Sequence, residues 1–338
     1  DTELGGAFGF NTETGPGPQP PPLESLKGML SEEHLWPIDA AWDYHCARNE
    51  FSTLDRYRAA LNGRYGEPQS VEEFARVSQA ANYEGVRAMF EAFAVNRPRA
   101  TGVIQWMLNA CWPKLYWQLY GYDLVPNGAF YGTRVACQPR SLVYHYGDHG
   151  VYAVNDLPSP APGLRAEVRV LDVASKEVLR EERDVELAPL SSHKILDLAG
   201  VAADSPVRFV FLTLREGDEE RVRNVYWLSS REDVPDWEKG DWIHTPNKEW
   251  ADLTALRDLP AAEVDATLEV ASEGDAGRAR VTLRNRLDVV AFFLELNLTD
   301  PEGKTLVPVF WDDNYVTLLP GETRVVEARF DARAHAPR

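Results

Sequence analysis

Residues 6–15 read Gly-Ala-Phe-Gly-Phe-Asn-Thr-Glu-Thr-Gly, and residues 101–109 read Thr-Gly-Val-Ile-Gln-Trp-Met-Leu-Asn. Each is a short apolar run that ends in polar or aromatic side chains. Such runs suit buried strands, here expected over 6–10 and 101–109. A proline-rich loop follows at 16–22, then a short helix over 23–30. Val71, Phe74, Val77, Ala81, Met89, Phe90 and Phe93 follow helical spacing, which predicts one long amphipathic helix over about 70–95. Asn127-Gly128 marks a turn, and a helix over 129–136 stops before Pro139. Strand, helix, strand, helix is the pattern of a parallel α/β fold, whose sites lie at the carboxyl ends of the strands. A complete (β/α)8 barrel needs about 250 residues. Residues 1–140 hold only two convincing barrel strands and are expected to form the C-terminal part of a TIM barrel.

The text changes near residue 140. Leu164, Ala166, Val168 and Val170 alternate, and the runs 209–214 and 224–228 read as further strands, with breaks at Gly147-Asp148 and 158–163. Short alternating strands separated by turns predict a β-sandwich over 141–235. A connector over 236–250 carries Trp237, Trp242 and Trp250. Alternation resumes at Val264, Ala266, Leu268 and Val270, then at Ala279, Val281 and Leu283, then at Leu294, Leu296 and Leu298. Val316, Leu318 and a last strand over 323–330 complete a second sandwich over 251–338. Both sandwiches are expected to be immunoglobulin-like.

Three constellations carry chemistry. Asn11-Thr12-Glu13 places a carboxylate at a strand end. A glycosidase nucleophile needs that placement, with a second carboxylic acid about 5–5.5 Å away; a solvated or capping glutamate would look the same. Trp106, Asn109 and Trp112 close the second strand. Aromatic faces stack on sugar rings and amides bind hydroxyls, yet core aromatics give an equal pattern. Tyr44-His45 could contact a sugar hydroxyl, or His45 could be structural.

Composition narrows the rest. The 338 residues carry 35 Lys plus Arg against 53 Asp plus Glu, a net charge of −18. That argues against a nucleic-acid partner, which selects for a basic stripe. No apolar run approaches the roughly 18 residues of a membrane span. Cys46, Cys111 and Cys137 form neither a disulfide framework nor a zinc pattern and read as free, mostly buried thiols. No HExxH pair, P-loop, GxGxxG or GxSxG motif occurs, and the histidines are scattered, so neither metal nor organic cofactor is expected. The opening DTELGGAFGFNTE lacks an initiator Met and a signal pattern. It suggests part of a longer chain and leaves secretion and a cytoplasmic location equally open.

The residues also carry a resemblance. GAFGFNTETGPGPQPPPLESLKGML resembles the nucleophile strand and following loop of glycoside hydrolase family 2, in its exo-β-D-glucosaminidase branch. TGVIQWMLNACWPKLYWQLYGYDLVPNGAFYGTRVACQP resembles that branch's eighth barrel strand and final helix. NVYWLS, DWIHTP, WADLTAL and VFWDDNYVTLLPGET resemble its two C-terminal sandwiches. The resemblance implies a retaining, exo-acting glycosidase that removes terminal β-linked glucosamine from chitosan, with Glu13 of FNTET as nucleophile. It implies that Trp106 lines the sugar subsite with Asn109, Trp112 and Asn11 near it. Tyr44 and His45 match the family's YH region. The family's acid/base carboxylate lies on an earlier strand, in upstream domains, so residues 1–338 alone are expected to be inactive. The ending DARAHAPR stands where one more strand is expected. A β-mannosidase of the same family is the nearest alternative. A carbohydrate-binding or structural sandwich module, with Trp237, Trp242, Trp250 or Trp311 as a sugar platform, is the alternative of another class.

Overall fold

The computed structural model describes residues 6–202 and 204–332. The expectation for the ending 331–338 falls largely outside them. The architecture is mostly β, with a helical portion at the start.

Strand β1 (Gly9–Thr14) pairs in parallel with β2 (Ala100–Gln105). Between them lie α1 (Leu23–Met29), α2 (Ala40–Tyr44), α3 (Asp55–Tyr65) and α4 (Val71–Val95). After β2 comes α5 (Gly128–Ala136). Both strands depart from expectation. The first lies further along the chain than residues 6–10 and carries Asn11 and Glu13 within it. The second ends at Gln105 instead of 109, because Trp106 N–H still donates to Thr14 O but Met107 N–H turns away to Trp117 O. Neither is a buried strand: among the described residues each pairs with one neighbour only, and Phe10 and Ile104 stand more than half exposed.

Helix α4 forms where the spacing predicts it. Ser70 caps its start by accepting from Glu73 N–H, and Glu73 Oε2 accepts from Gln69 N–H. Helix α5 is capped by the buried Asn127 side chain, which accepts from Phe130 N–H and donates to Gln118 O. The two helices touch backbone to backbone: a Cβ on Gly128 would overlap the Gln79 carbonyl, and one on Gly132 the Tyr83 carbonyl.

The first sandwich comprises β3 (Arg140–His145), β4 (Gly150–Asn155), β5 (Ala161–Asp172), β6 (Glu177–Leu187), β7 (Ser191–Asp197), β8 (Val207–Glu216) and β9 (Glu219–Ser229). Its sheets run β3-β4-β7 and β6-β5-β8-β9. The alternating residues Leu164, Ala166, Val168 and Val170 fill the space between the sheets with Leu142, Val210 and Leu212. A small antiparallel pair, β10 (Val234–Pro235) and β11 (Asn247–Glu249), leads to the second sandwich. There, β12 (Val264–Glu273), β13 (Ala276–Asn285), β15 (Val309–Trp311) and β17 (Thr323–Asp331) form one sheet in the order β12-β13-β17-β15. Strands β14 (Ala291–Leu294) and β16 (Val316–Leu318) form the other. Leu296 and Leu298 lie beyond β14, in irregular chain, although their alternation predicts strand. Leu268 and Val270 sit in register with buried Val281 and Ala279, yet both are exposed, because the two-stranded sheet does not extend over β12.

One core joins the parts. It collects Tyr83 and Tyr131 from the helices, Phe209 and Trp227 from the first sandwich, and Leu283, Leu318 and Trp311 from the second. Arg87 of α4 is fully buried in the first sandwich. It donates to Asn224 Oδ1 at 3.0 Å and Val225 O at 2.5 Å and sits 3.9 Å from the Tyr226 ring centroid. Glu91 lies 3.9 Å from Arg87 and accepts from Asn224 Nδ2 and Tyr226 Oη. A paired network is what allows such charges to stay in a core. Cys46 is buried as expected, but Cys111, in a loop, and Cys137, at the end of α5, are exposed. Among the described residues no helix is long and apolar enough to cross a membrane.

Candidate active site

Glu13 lies next to last in β1, and Thr14 is in register with Gln105 at the end of β2. The two strand ends are held together by backbone. Trp106 N–H donates to Thr14 O at 2.7 Å. Gly15 then passes so close that any Cβ would overlap the Trp106 carbonyl oxygen and touch the Trp117 ring. Only glycine permits that approach, so the last residue of the FNTETG run fixes the carboxylate-bearing strand end against Trp106. Asn11 folds back along its own strand and accepts from Glu13 N–H at 3.0 Å. The Glu13 side chain is exposed and free of a protein hydrogen-bond partner among the described residues. Trp106, joined to the same strand end through its backbone, is 46% exposed and presents a large open aromatic face.

The second grouping is aromatic. His45 stacks on Trp112, with centroids 5.7 Å apart and planes at 23°. Tyr44 meets the edge of Trp112 at 5.6 Å and is largely exposed. His45 Nδ1 donates to Pro113 O at 2.7 Å, and Leu115 N–H donates to His45 O at 2.9 Å. With Nδ1 carrying the proton, Nε2 is left as an acceptor. Tyr44, His45 and Trp112 therefore come together, from α2 and from the loop after β2. Asn109 is exposed in that loop, and its Nδ2 makes only a 3.4 Å contact to the neighbouring Ala110 O.

Sequence reasoning noted Tyr116 and Trp117 after Trp112 but passed over Gln105 and Lys114, which support these groups. Gln105 donates to Trp106 O and Trp117 O, and Trp117 O also accepts from Met107 N–H. Trp117 packs on Phe51 and Tyr116. Lys114 lies 3.2 Å from Met107 Sδ and 5.9 Å from the Trp117 ring, and burial lowers its pKa. The signal was the aromatic run Tyr116-Trp117, which reads equally as core. Of the connector tryptophans, Trp242 and Trp237 are exposed, whereas Trp250 packs over Gly63 of α3; Trp311, in β15 of the second sandwich, is buried.

Comparison with known proteins places these features in context. The family described as the exo-beta-D-glucosaminidase Ig-fold domain matches residues 242–338, and that described as the mannosidase Ig/CBM-like domain matches residues 147–230. Both sandwiches are thus immunoglobulin-like. An exo-beta-D-glucosaminidase of Arthroderma benhamiae is 37% identical over 328 residues, covering 94% of this chain and 37% of that protein. One of Streptomyces avermitilis is 36% identical over 355 residues, covering 99% and 39%. The crystal structure of the Amycolatopsis orientalis exo-chitosanase CsxA superposes with a TM-score of 0.92 at 31% identity, over 99% of this chain and 41% of that one. A variant of that protein has been solved in complex with PNP-beta-D-glucosamine. A beta-D-mannosidase of Dictyoglomus thermophilum, 18% identical with a TM-score of 0.70, shares the fold. The chain spans about two fifths of the length of these glucosaminidase relatives.

Proposed function

The chain belongs with the exo-β-D-glucosaminidases of glycoside hydrolase family 2, and on that premise we propose that it carries the nucleophile half of a retaining glycosidase site. Residues 1–140 are then the last strands and helices of a (β/α)8 barrel, with β1 and β2 as neighbouring parallel strands. Residues 141–235 and 251–338 are the immunoglobulin-like sandwiches, and 236–250 the connector.

In this scheme the Glu13 carboxylate attacks the anomeric carbon of a terminal β-linked glucosamine. The glycosidic bond breaks, and the leaving oxygen takes a proton from a carboxylic acid. Water then attacks the glycosyl ester, gives its proton to the resulting carboxylate, and releases glucosamine with Glu13 regenerated. No residue of 1–338 is assigned the acid/base role. Trp106 offers its exposed face to the sugar, and Asn11, Asn109, Trp112, His45 and Tyr44 are the candidate substrate contacts. The polymer substrate is chitosan or its oligosaccharides. No step draws on a metal or organic cofactor.

The observation that carries the reading is the approach of Gly15 to Trp106, which sets the Glu13 strand end beside an open indole. The test is hydrolysis of aryl β-D-glucosaminide and aryl β-D-mannoside by the full-length gene product, unaltered and with Glu13→Gln. The glucosaminide should be turned over, and the variant should lose a factor of about 10³ or more in kcat. Turnover of the mannoside alone would move the specificity. Activity that survives the substitution would remove Glu13 from the mechanism.

A further inference from the structure

The loop after β2 leaves and returns through a narrow neck, and one side chain bridges that neck. The outgoing limb, residues 106–110, and the returning limb, 117–120, are joined by backbone. Met107 N–H donates to Trp117 O at 2.8 Å, Tyr120 N–H to Leu108 O at 2.9 Å and Ala110 N–H to Tyr120 O at 3.2 Å. The tip between the limbs carries Trp112. Gln105, the last residue of β2, sits at the root of the outgoing limb. Its Nε2 donates to Trp106 O at 2.9 Å and to Trp117 O at 3.2 Å. Both partners are carbonyl oxygens, which only accept, so the position demands a donor with two N–H groups.

Trp106 depends on that bridge more than its neighbours do. Trp112 is braced by His45 and Tyr44, and Trp117 by Phe51 and Tyr116. Among the described residues the Trp106 ring meets no other aromatic ring and its Nε1 no acceptor. Its placement therefore rests on its backbone, which is held at three points. Its N–H donates to Thr14 O, its carbonyl oxygen stands against Gly15, and the same oxygen receives Gln105 Nε2. The first two contacts tie Trp106 to the strand end that bears Glu13. The third ties it to the returning limb, because the same amide also holds Trp117 O. A binding side chain keeps its geometry only when such supporting bonds lock it.

We propose that Gln105 is a positioning residue for sugar binding: its amide sets the angle at which the Trp106 indole meets the sugar ring. The assignment rests on the reading of Trp106 as the aromatic face of the subsite. An aromatic face holds the sugar in the ground state and the transition state alike, so loosening it raises KM and spares kcat. A purely structural role has the opposite signature. Fewer folded molecules lower the apparent kcat and leave KM where it was.

The test measures KM and kcat for an aryl β-D-glucosaminide on the full-length gene product. Gln105→Met keeps the length of the side chain and removes its donors, whereas Gln105→Glu sets a carboxylate against two carbonyl oxygens. The two remove the bridge in different ways, so either carries the test if the other does not fold. Gln105→Met should raise KM about tenfold, the scale of one or two lost hydrogen bonds, with kcat changed less than about twofold. Gln105→Glu should raise KM further. Added to Trp106→Ala, Gln105→Met should lower kcat/KM no more, because the side chain it positions is already gone. An unchanged KM, a lower kcat at constant KM, or an additive loss in the double variant overturns the assignment while the glucosaminidase reading stands. No turnover by the unaltered protein overturns that reading instead, and the assignment falls with it.

Discussion

Single residues do the positioning here, and several do so through backbone. Glu13 is recognisable in the sequence only through its motif, because an exposed carboxylate at a strand end has no physical signature of its own. Gly15 supplies the missing one, since its contact with the Trp106 carbonyl leaves no room for a side chain. Asp148 shows a different kind of positioning, at the turn between β3 and β4. Burial pushes its carboxyl pKa up, but hydrogen bonds from Tyr152 Oη at 2.7 Å, His145 at 2.9 Å, Gly150 N–H at 3.0 Å and Lys194 at 3.3 Å outweigh it. They hold the group well below the usual carboxylate range. A depressed carboxyl contributes stability above its ordinary pKa, near 3.8, and loses that contribution as pH falls toward the folded value. Asp148→Asn should therefore lower the melting temperature at pH 7. The gap to the unaltered protein should narrow as pH falls below about 4. A gap constant from pH 7 to pH 3 would mean that the carboxylate's charge contributes nothing.

At the scale of elements, what could be read from sequence followed periodicity. Helices α1, α4 and α5 fall within a residue or two of expectation, because each has an apolar stripe and a recognisable start or stop. Helix α3 was not foreseen: in DRYRAALNGRY only Leu61 and Tyr65 are buried, so no stripe announces it. The strands of the first sandwich were legible because alternate residues face a filled interior. β12 has the same alternation, but its apolar side is open, a difference that depends on what the opposite sheet covers and not on β12 itself. The site was legible in part. The aromatic run after β2, with Tyr116 and Trp117, stands out in the sequence, while Gln105 and Lys114 join it only when the loop folds back. The packing of α5 on α4 is the most demanding contact among the helices. Gly132→Ala should destabilise the protein by about 1–3 kcal/mol through overpacking, against the roughly 1 kcal/mol that alanine normally gains in a helix. Gly85→Ala, with open space around it, should be neutral or stabilising. Denaturant unfolding of the two variants compares them directly, and equal effects would contradict this account of the interface.

At the scale of the molecule, the three parts are tied into one body. A shared core runs from Tyr83 and Tyr131 through Trp227 to Leu318, and Arg223 reaches from β9 to Glu322 near β17 with a paired contact of 2.5 and 2.8 Å. The sandwiches thus brace the helices that follow and precede the candidate site strands. Net charge acts at the same scale. At −18, the chain should attract a polycationic oligomer over several ångströms, an effect that salt screens with a length of about 10 Å at 0.1 M. We expect kcat/KM of the full-length gene product on a glucosamine oligomer to fall several-fold between low and physiological ionic strength, and that on a singly charged aryl glucosaminide to fall less. Equal salt dependence for the two would remove long-range steering. The central claim is that Glu13 forms the bond to the sugar, and chemical rescue tests it most directly. Glu13→Ala, given an aryl β-D-glucosaminide with a good leaving group, should be nearly inert until azide is added. It should then yield the α-configured glucosaminyl azide, because azide attacks from the face that the carboxylate occupied. Turnover undiminished by the substitution, or an azide product of β configuration, would contradict the assignment.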